Sequence, residues 1–286
     1  MSDARVPVNR TAKLFIGGGF PRSESGRTYQ VFARDGRPLA HVAQASRKDL
    51  RDAVVAARAA QPKWAGMTAY NRGQILYRVA ELMEGRRAQF RQELADAGAA
   101  DPDRGVDATI DRWVWYAGWA DKIAQVQGGS NPVAGPYFNF TVPEPTGVVG
   151  IVAPQDQSLL GLVSRLAPAI VGGNAAVVLA SEASPLPAVS LSEVLATSDV
   201  PGGVVNILTG STAELVPWLA GHMDVNAIDV TGVPEDLLRE AEQLAAENVK
   251  RVHRAPGGDP FAASAQSPYE ITALMELKTV WHPMGA

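Results

Sequence analysis

The 286-residue sequence contains no cysteine. Disulfide bonds, thiolate metal sites and a catalytic thiol are therefore excluded for these residues. The four histidines, at positions 41, 222, 253 and 282, are scattered, and no two of them have the spacing of metal ligands. A Gly-x-Ser-x-Gly element, which many serine hydrolases use, is also missing. The sequence predicts no metal site.

Strong charge and long apolar runs are missing as well. The net charge is −4 at pH 7, which gives no electrostatic reason to expect nucleic acid or an anionic membrane as a partner. No uninterrupted run of about 18 apolar residues occurs, so a transmembrane helix is not expected. Residues 1–5 lack the apolar core of a secretory signal, and a cytoplasmic location is the expectation. The apolar fraction of 46% is enough for a normal core.

The second half of the sequence alternates apolar strands with helices. The strands show little polar alternation, which is typical of a parallel sheet covered on both faces. We therefore predict an α/β fold with a Rossmann-like, doubly wound parallel sheet. The predicted strands are 148–153, 175–179, 204–208, 226–230 and 249–253, and the predicted helices are 159–171, 212–220 and 234–248.

The first half of the sequence is mainly helical in its pattern. Ser46 is a typical N-cap, and the apolar residues after it recur at helical spacing until Pro62. Two further helices are predicted over 71–97 and 107–125. The tryptophans at 113, 115 and 119 lie in the last of these, where helical spacing favours packing over a stacking platform for bases or sugars.

A glycine run near the start of the chain allows two interpretations. Lys13–Ile16 reads as a short strand, and Gly17–Gly19 follow it as a turn. A phosphate-binding loop is the alternative, but no Lys-Ser/Thr pair follows the glycines. The pattern favours the strand and turn.

Four segments stand out: Trp115-Tyr-Ala-Gly-Trp-Ala-Asp-Lys122, Glu144-Pro-Thr-Gly-Val-Val-Gly150, Pro201-Gly-Gly-Val-Val-Asn-Ile-Leu-Thr-Gly210 and Met275-Glu-Leu-Lys-Thr-Val280. In this order along nearly the whole chain, they resemble the aldehyde dehydrogenases. In that family a cysteine thiolate attacks the aldehyde, and a nicotinamide accepts hydride from the resulting intermediate. The cysteine-free sequence therefore resembles a family whose nucleophile it lacks.

Two other catalytic positions implied by the resemblance are also replaced. Asp156 stands where the family has an asparagine that donates to the developing oxyanion, and an ionised carboxylate cannot donate. Ala255 stands where the family has the glutamate that activates water, and alanine cannot move a proton. We predict no catalytic residue in this chain.

The resemblance implies a partial cofactor site at Ser181, Glu182, Gly210, Thr231 and Gly232. Glu182 matches a carboxylate that holds the cofactor's ribose, but the lysine that accompanies it in the family is Leu179 here. After Gly232, Val233 replaces a serine and Leu237 replaces a glycine. Two acids, Glu235 and Asp236, open the following helix and would repel a pyrophosphate. We expect no bound cofactor, with NAD(P) as the alternative.

The resemblance also implies an oligomerisation arm. A hairpin at 128–146 and a final strand at 273–281 correspond to the family's arm, whereas the family's catalytic domain is missing between Gly258 and Ala273. The predicted parts are 1–127 (N-terminal strand and helices), 128–146 (hairpin), 147–260 (Rossmann-like part) and 261–286 (linker and C-terminal strand). The expected partner of the arm is a full-length aldehyde dehydrogenase subunit or a second copy of the chain.

Three functional hypotheses follow. The first is a pseudoenzyme that is silent alone and that stabilises or regulates a full-length aldehyde dehydrogenase. The second is an NAD(P)-binding or sensing module that uses Glu182 and Gly232. The third is an NAD-dependent aldehyde oxidoreductase in which other residues have replaced the missing catalytic groups.

Overall fold

The N-terminal part of the fold is a small three-stranded sheet. A computed structural model describes residues 10–285; the predicted absence of a signal in residues 1–5 lies outside that range. The strands are β1 (Arg10–Ala12), β2 (Thr28–Phe32) and β3 (Pro38–Ala43), in the order β1-β3-β2. The strand predicted at Lys13–Ile16 is wrong, since those residues follow β1 and make only isolated bridges, from Phe15 to Ile207 and from Ile16 to Gly19.

Five helices come next along the chain. The first begins with a capping box in which Ser46 and Asp49 each accept a backbone N–H from the other. The prediction of a single helix over 71–97 is wrong, because the helix is interrupted at Arg86, directly after Gly85. The Arg86 side chain pairs there with Glu193 at 2.9 Å. The helix predicted over 107–125 likewise divides in two. The helices are α1 (Arg47–Ala65), α2 (Ala69–Gly85), α3 (Arg87–Asp96), α4 (Pro102–Ala117) and α5 (Ile123–Gln127).

The parallel sheet occupies the centre of the molecule. After the hairpin strands β4 (Gly129–Asn131) and β5 (Tyr137–Pro145), the chain alternates strands and helices. The sheet order is β10-β9-β6-β7-β8, and every neighbouring pair is parallel, which confirms the predicted fold class. The elements are β6 (Val148–Val152), α6 (Leu160–Val171), β7 (Ala175–Leu179), α7 (Leu186–Ala196), β8 (Val205–Leu208), α8 (Thr212–Ala220), β9 (Ala227–Asp229), α9 (Glu235–Ala246) and β10 (Arg251–His253).

Apolar cores cover both faces of this sheet. Helices α2, α4, α6 and α7 pack on one face, and α1, α8 and α9 pack on the other. Trp113 is fully buried in the first core, and Trp115 and Trp119 pack against it, as the helical spacing predicts. No helix among the residues that the structure describes is long and apolar enough to cross a bilayer.

The end of the chain returns to the hairpin. After β10 the chain crosses the carboxyl edge of the parallel sheet, forms the short helix α10 (Pro268–Thr272) and continues as β11 (Met275–Pro283). β11 pairs antiparallel with the whole of β5, from Met275 opposite Pro145 to Pro283 opposite Tyr137. The order β11-β5-β4 defines a separate sheet, which we call the arm sheet. Residues 254–274 are called the bridge.

Candidate functional site

A cavity of about 480 Å³ opens at the carboxyl ends of β6, β9 and β10. Ligands of open parallel sheets bind beyond this edge, so it is the place to look for a site. Its wall is formed partly by the bridge, which covers the edge from above. Side chains that line it include Arg112, Gln157, Ser164, Arg165, Thr231 and Glu270.

The structure places Ser181 and Glu182 just after β7, in a closed network of hydrogen bonds. Ser181 Oγ donates to the backbone oxygen of Gln155 at 2.9 Å. One carboxylate oxygen of Glu182 accepts the backbone N–H of Thr212 at 2.9 Å, at the first turn of α8. Gly210, with φ of +146°, makes the turn that brings α8 there. Glu182 therefore stabilises the start of a helix with one of its two oxygens.

Thr231 and Gly232 lie after β9, which is separated from β7 by β6. The Thr231 backbone N–H donates to Asp229 at 2.9 Å, and its hydroxyl accepts the N–H of Ala255 at 2.9 Å. A Cβ added to Gly232 would lie 2.1 Å from the backbone oxygen of Ala153. The glycine is therefore required by the close contact of the turn with the end of β6.

The first turn of α9 does not fit a pyrophosphate. Val233 is 6% exposed and packs into the core, so no hydroxyl is offered there. Glu235 and Asp236 place two carboxylates in the first turn, and Arg254 pairs with Glu235 at 3.0 Å. Like charge opposes an anion at this helix end. The cofactor residues implied by the sequence thus fall into two groups. Glu182 offers a carboxylate of the kind that binds a ribose, whereas the helix start expected to hold the pyrophosphate carries two acidic side chains.

The two replaced catalytic positions both line the cavity. Asp156 is an exposed residue of the loop after β6, and Ala255 is half-buried in the bridge. Ala255 has only a methyl side chain, and its backbone N–H donates to the hydroxyl of Thr231. Asp156 therefore offers no donor for an oxyanion, and Ala255 offers no base for water.

The strongest electrostatic feature of the site was not predicted. Arg165 on α6 is 5% exposed and pairs with Glu270 of the bridge, and it lies 3.7 Å from Asp229 at the end of β9. His253 Nε2 is 2.9 Å from the same oxygen of Glu270. The sequence does contain a signal for this cluster, since Arg165 is the one charged residue of the mainly apolar helix 160–171. A buried arginine needs an acidic partner, so its position indicates a buried carboxylate nearby.

This ion cluster shifts the pKa of both carboxylates. Desolvation opposes ionisation of Glu270, but the hydrogen bond from His253 and the charge of Arg165 outweigh it and lower the pKa of Glu270 to about 2. Burial raises the pKa of Asp229, only partly offset by Arg165. One oxygen of Asp229 has no hydrogen-bond partner. Glu270 is therefore the carboxylate that carries the charge opposite Arg165.

The bridge is held by α4 as well. Arg112, which is 3% exposed, donates to the backbone oxygens of Pro260 at 2.9 Å and Ala265 at 3.0 Å. The Ser267 backbone N–H points to the hydroxyl of Tyr116 at 3.4 Å. With Arg165, these contacts fix the bridge across the edge of the sheet. The arrangement closes the edge rather than presenting a set of reactive groups.

No group of histidine and carboxylate side chains with the geometry of a metal site occurs within residues 10–285. Of the four histidines, His253 belongs to the ion cluster, and the Nδ1 of His222 accepts the backbone N–H of Asp224 at 3.2 Å. Both of these contacts are within the protein.

Comparison with known proteins gives a consistent result. The model of the aldehyde dehydrogenase family matches residues 20–263. Cytosolic 10-formyltetrahydrofolate dehydrogenase of Pongo abelii is 36% identical over 289 residues, which cover 96% of this chain and 31% of that protein. Cytosolic aldehyde dehydrogenase 1 of Elephantulus edwardii is 35% identical over 264 residues, 88% of this chain and 52% of that protein.

A solved structure, the NAD+ complex of an aldehyde dehydrogenase from Bacillus cereus, has a TM-score of 0.79 and 28% identity. The superposition covers 85% of this chain and 50% of that one. The chain thus spans between about a third and about half of the length of these relatives.

Proposed function

Since the chain belongs to the aldehyde dehydrogenase family, we propose that it is a catalytically silent member that assembles with a full-length aldehyde dehydrogenase and stabilises or regulates it. The observation that carries this proposal is the arm sheet. It keeps a nine-residue strand pair, β5 with β11, on a chain without a thiol. A structure with an intact surface for assembly and without the groups for oxidation is suited to acting through another subunit.

The missing catalytic groups support the proposal that the isolated chain does not oxidise aldehydes. Oxidation of an aldehyde by this family needs a nucleophile, a base and an oxyanion donor; this chain has no cysteine, Ala255 cannot accept a proton, and Asp156 cannot donate. The bridge also lies over the edge of the sheet where an aldehyde would have to approach. Three simultaneous losses leave no route that these residues can perform.

The arm sheet supports the assembly part of the proposal. Its large side chains are uncovered: Tyr137 is 41% exposed, Phe138 47%, Leu277 57% and Trp281 58%. Leu277 and Trp281 belong to the edge strand β11, and Tyr137 and Phe138 to the central strand β5. Exposed aromatic and aliphatic side chains on the face and edge of a sheet are typical of surfaces that bind another chain. The polar residues between them, such as Thr279 and Lys278, keep the surface from being uniformly apolar.

The test is capture of a full-length enzyme. The tagged chain is co-expressed with each full-length aldehyde dehydrogenase of its source organism, and complexes are identified by native mass spectrometry. We expect one enzyme to be retained and its activity or melting temperature to change. The Trp281→Ser variant should lose the partner, whereas Phe32→Ser, an equally exposed aromatic outside the arm (53%), should keep it. NADH production by the chain alone, in proportion to its amount, would contradict the proposal.

A second candidate function is a nucleotide-binding module. The observation that favours it is Glu182, an exposed carboxylate at the correct edge of the sheet with one oxygen left to accept a ribose hydroxyl. The acidic start of α9 argues against it. NAD(P) binding is therefore the weaker of the two proposals.

A further inference from the structure

β11 forms the outer edge of the arm sheet, and its hydrogen-bonding direction can be read from the ends of the strand. Next to the strand ends, the Thr146 N–H donates to the oxygen of Leu274, and the Met284 N–H donates to the oxygen of Pro136 at 2.8 Å. These pairs continue the β5–β11 register, so the even-numbered residues of β11 bond to β5. The odd-numbered residues therefore direct their N–H and C=O groups away from the sheet.

These outward groups belong to Leu277, Thr279 and Trp281. β11 has β5 as its neighbour on one side and no strand on the other, among residues 10–285. All three residues are exposed. The free edge ends at Pro283, which has no N–H to donate. A short stretch of unpaired backbone with apolar side chains at both ends is thus presented for strand addition.

We propose that this edge binds the same edge of a second copy of the chain, antiparallel, about a two-fold axis at Thr279. Thr279 then faces Thr279 of the second copy, and Leu277 faces Trp281 of the second copy. Each of these pairs is of the kind that exchanges two backbone hydrogen bonds, so the contact contains about six. The two arm sheets become one continuous sheet.

The side chains favour this arrangement. On one face, Leu277 packs against Trp281 of the second copy, and Trp281 is already oriented by Tyr137, whose ring is 5.8 Å away and nearly perpendicular. On the other face, Glu276 lies opposite His282 of the second copy, a pair of complementary polarity. Apolar and complementary polar cross-strand pairs both stabilise antiparallel strands.

The neighbouring registers are less favourable. An axis at Lys278 places two ammonium groups directly opposite each other, which is destabilising. An axis at Val280 places Leu277 opposite Pro283, and the proline cannot return a hydrogen bond. The sequence of β11 is therefore self-complementary about Thr279 and less so about its neighbours.

This inference concerns the chain alone and does not depend on the function proposed above. If both hold, the second copy and a full-length enzyme compete for β11, and the dimer protects the edge until that enzyme is present. The dimer is tested on the purified chain alone, and enzyme capture is tested by co-expression, so one can fail without the other.

The experiment is a charge exchange at the axis, measured on the whole purified chain by sedimentation velocity from low micromolar to submillimolar concentration. We expect the unaltered chain to be a dimer. Thr279→Lys and Thr279→Glu each place like charges opposite each other and should raise the dimer dissociation constant at least about tenfold. An equimolar mixture of the two variants should restore a one-to-one heterodimer, which also shows that both variants are folded.

The matched control is Thr28→Lys, which changes an exposed strand threonine of the N-terminal sheet and should leave the dimer unchanged. The proposal is overturned if the unaltered chain is monomeric throughout, or if either Thr279 variant dimerises as well as the unaltered chain. It is also overturned if the mixture of Lys and Glu variants stays monomeric.

Discussion

At the scale of single residues, the buried ion cluster around Arg165 links stability to charge. A buried arginine with no acceptor is far more costly than an exposed one, and Glu270 is the group that compensates it. The same glutamate fixes the bridge by its contact with His253. Glu270 thus links the charge balance of the core with the closure of the sheet edge.

Replacing Glu270 by glutamine should destabilise the fold by about 3 kcal/mol at pH 7, because it removes one partner of a buried pair. The folded pKa of about 2 lies below the usual 4.5. The stabilisation from ionised Glu270 is therefore complete above pH 4.5 and is lost as the pH falls towards 2. Urea unfolding at several pH values measures it.

The difference in unfolding free energy between the unaltered chain and the Glu270→Gln variant should become smaller as the pH falls below about 4.5. The raised pKa of Asp229 acts in the opposite sense, since its protonation favours the folded state, but Asp229 is present in both proteins. The control is Glu81→Gln, which changes an exposed pair with Arg78 and should cost under about 1 kcal/mol. A gap that does not vary with pH would show that Glu270 is not the ionised group.

At the scale of elements, the sequence predicted best where a strand or helix has a clear boundary and one dominant pattern. β7 and α8 have the residue bounds that the pattern predicts, 175–179 and 212–220. α7 was missed because it is buried on nearly every side and so has no amphipathic stripe. The helix break at Arg86 was missed as well: Gly85, a weak helix former, ends α2 there, and Arg86 contacts Glu193, more than one hundred residues away.

The turn from β9 into α9 has its own prediction. In Gly232→Ala the new Cβ has no space, because the nearest atom is the backbone oxygen of Ala153, which cannot move aside alone. We expect a loss of at least about 1–3 kcal/mol in the free energy of unfolding, the usual cost of overpacking. Urea unfolding with a constant m-value provides the measurement.

The control for this turn is Gly257→Ala in the bridge. An added Cβ there meets nothing within 4 Å, and the backbone is not in the left-handed region. Its unfolding free energy should stay within about 0.5 kcal/mol of the unaltered chain. If the two substitutions lowered the free energy of unfolding equally, the lack of space at Gly232 would not be the cause of the destabilisation.

At the scale of the whole molecule, the fold was predictable and the site was predictable only in part. The apolar strands separated by helices imply a parallel sheet, and the sheet implies that Glu182 and Thr231 lie at one edge. The ion cluster was not predictable in detail, because it joins Arg165, Asp229 and Glu270 from three distant segments. The bridge that covers the edge gives no periodic signal in the sequence.

A further prediction concerns the carboxyl edge of the parallel sheet as a whole, where we expect no nucleotide to bind. Isothermal calorimetry with NAD and with NADP at millimolar concentration should show no saturable heat, because the acidic first turn of α9 repels the pyrophosphate while Glu182 alone contributes one ribose contact. A full-length aldehyde dehydrogenase serves as the positive control. Saturable heat that disappears in Glu182→Gln would establish the nucleotide-binding alternative instead.

The pairing of β5 with β11 joins two segments that are far apart along the chain, and this has a consequence during translation. A nascent chain leaves the ribosome with its N-terminus first. One side of β5, including Tyr137 and Phe138, therefore has no partner strand until the ribosome has synthesised β11, which ends at residue 283. This interval exposes an aggregation-prone strand, and we expect chaperone dependence to be concentrated there.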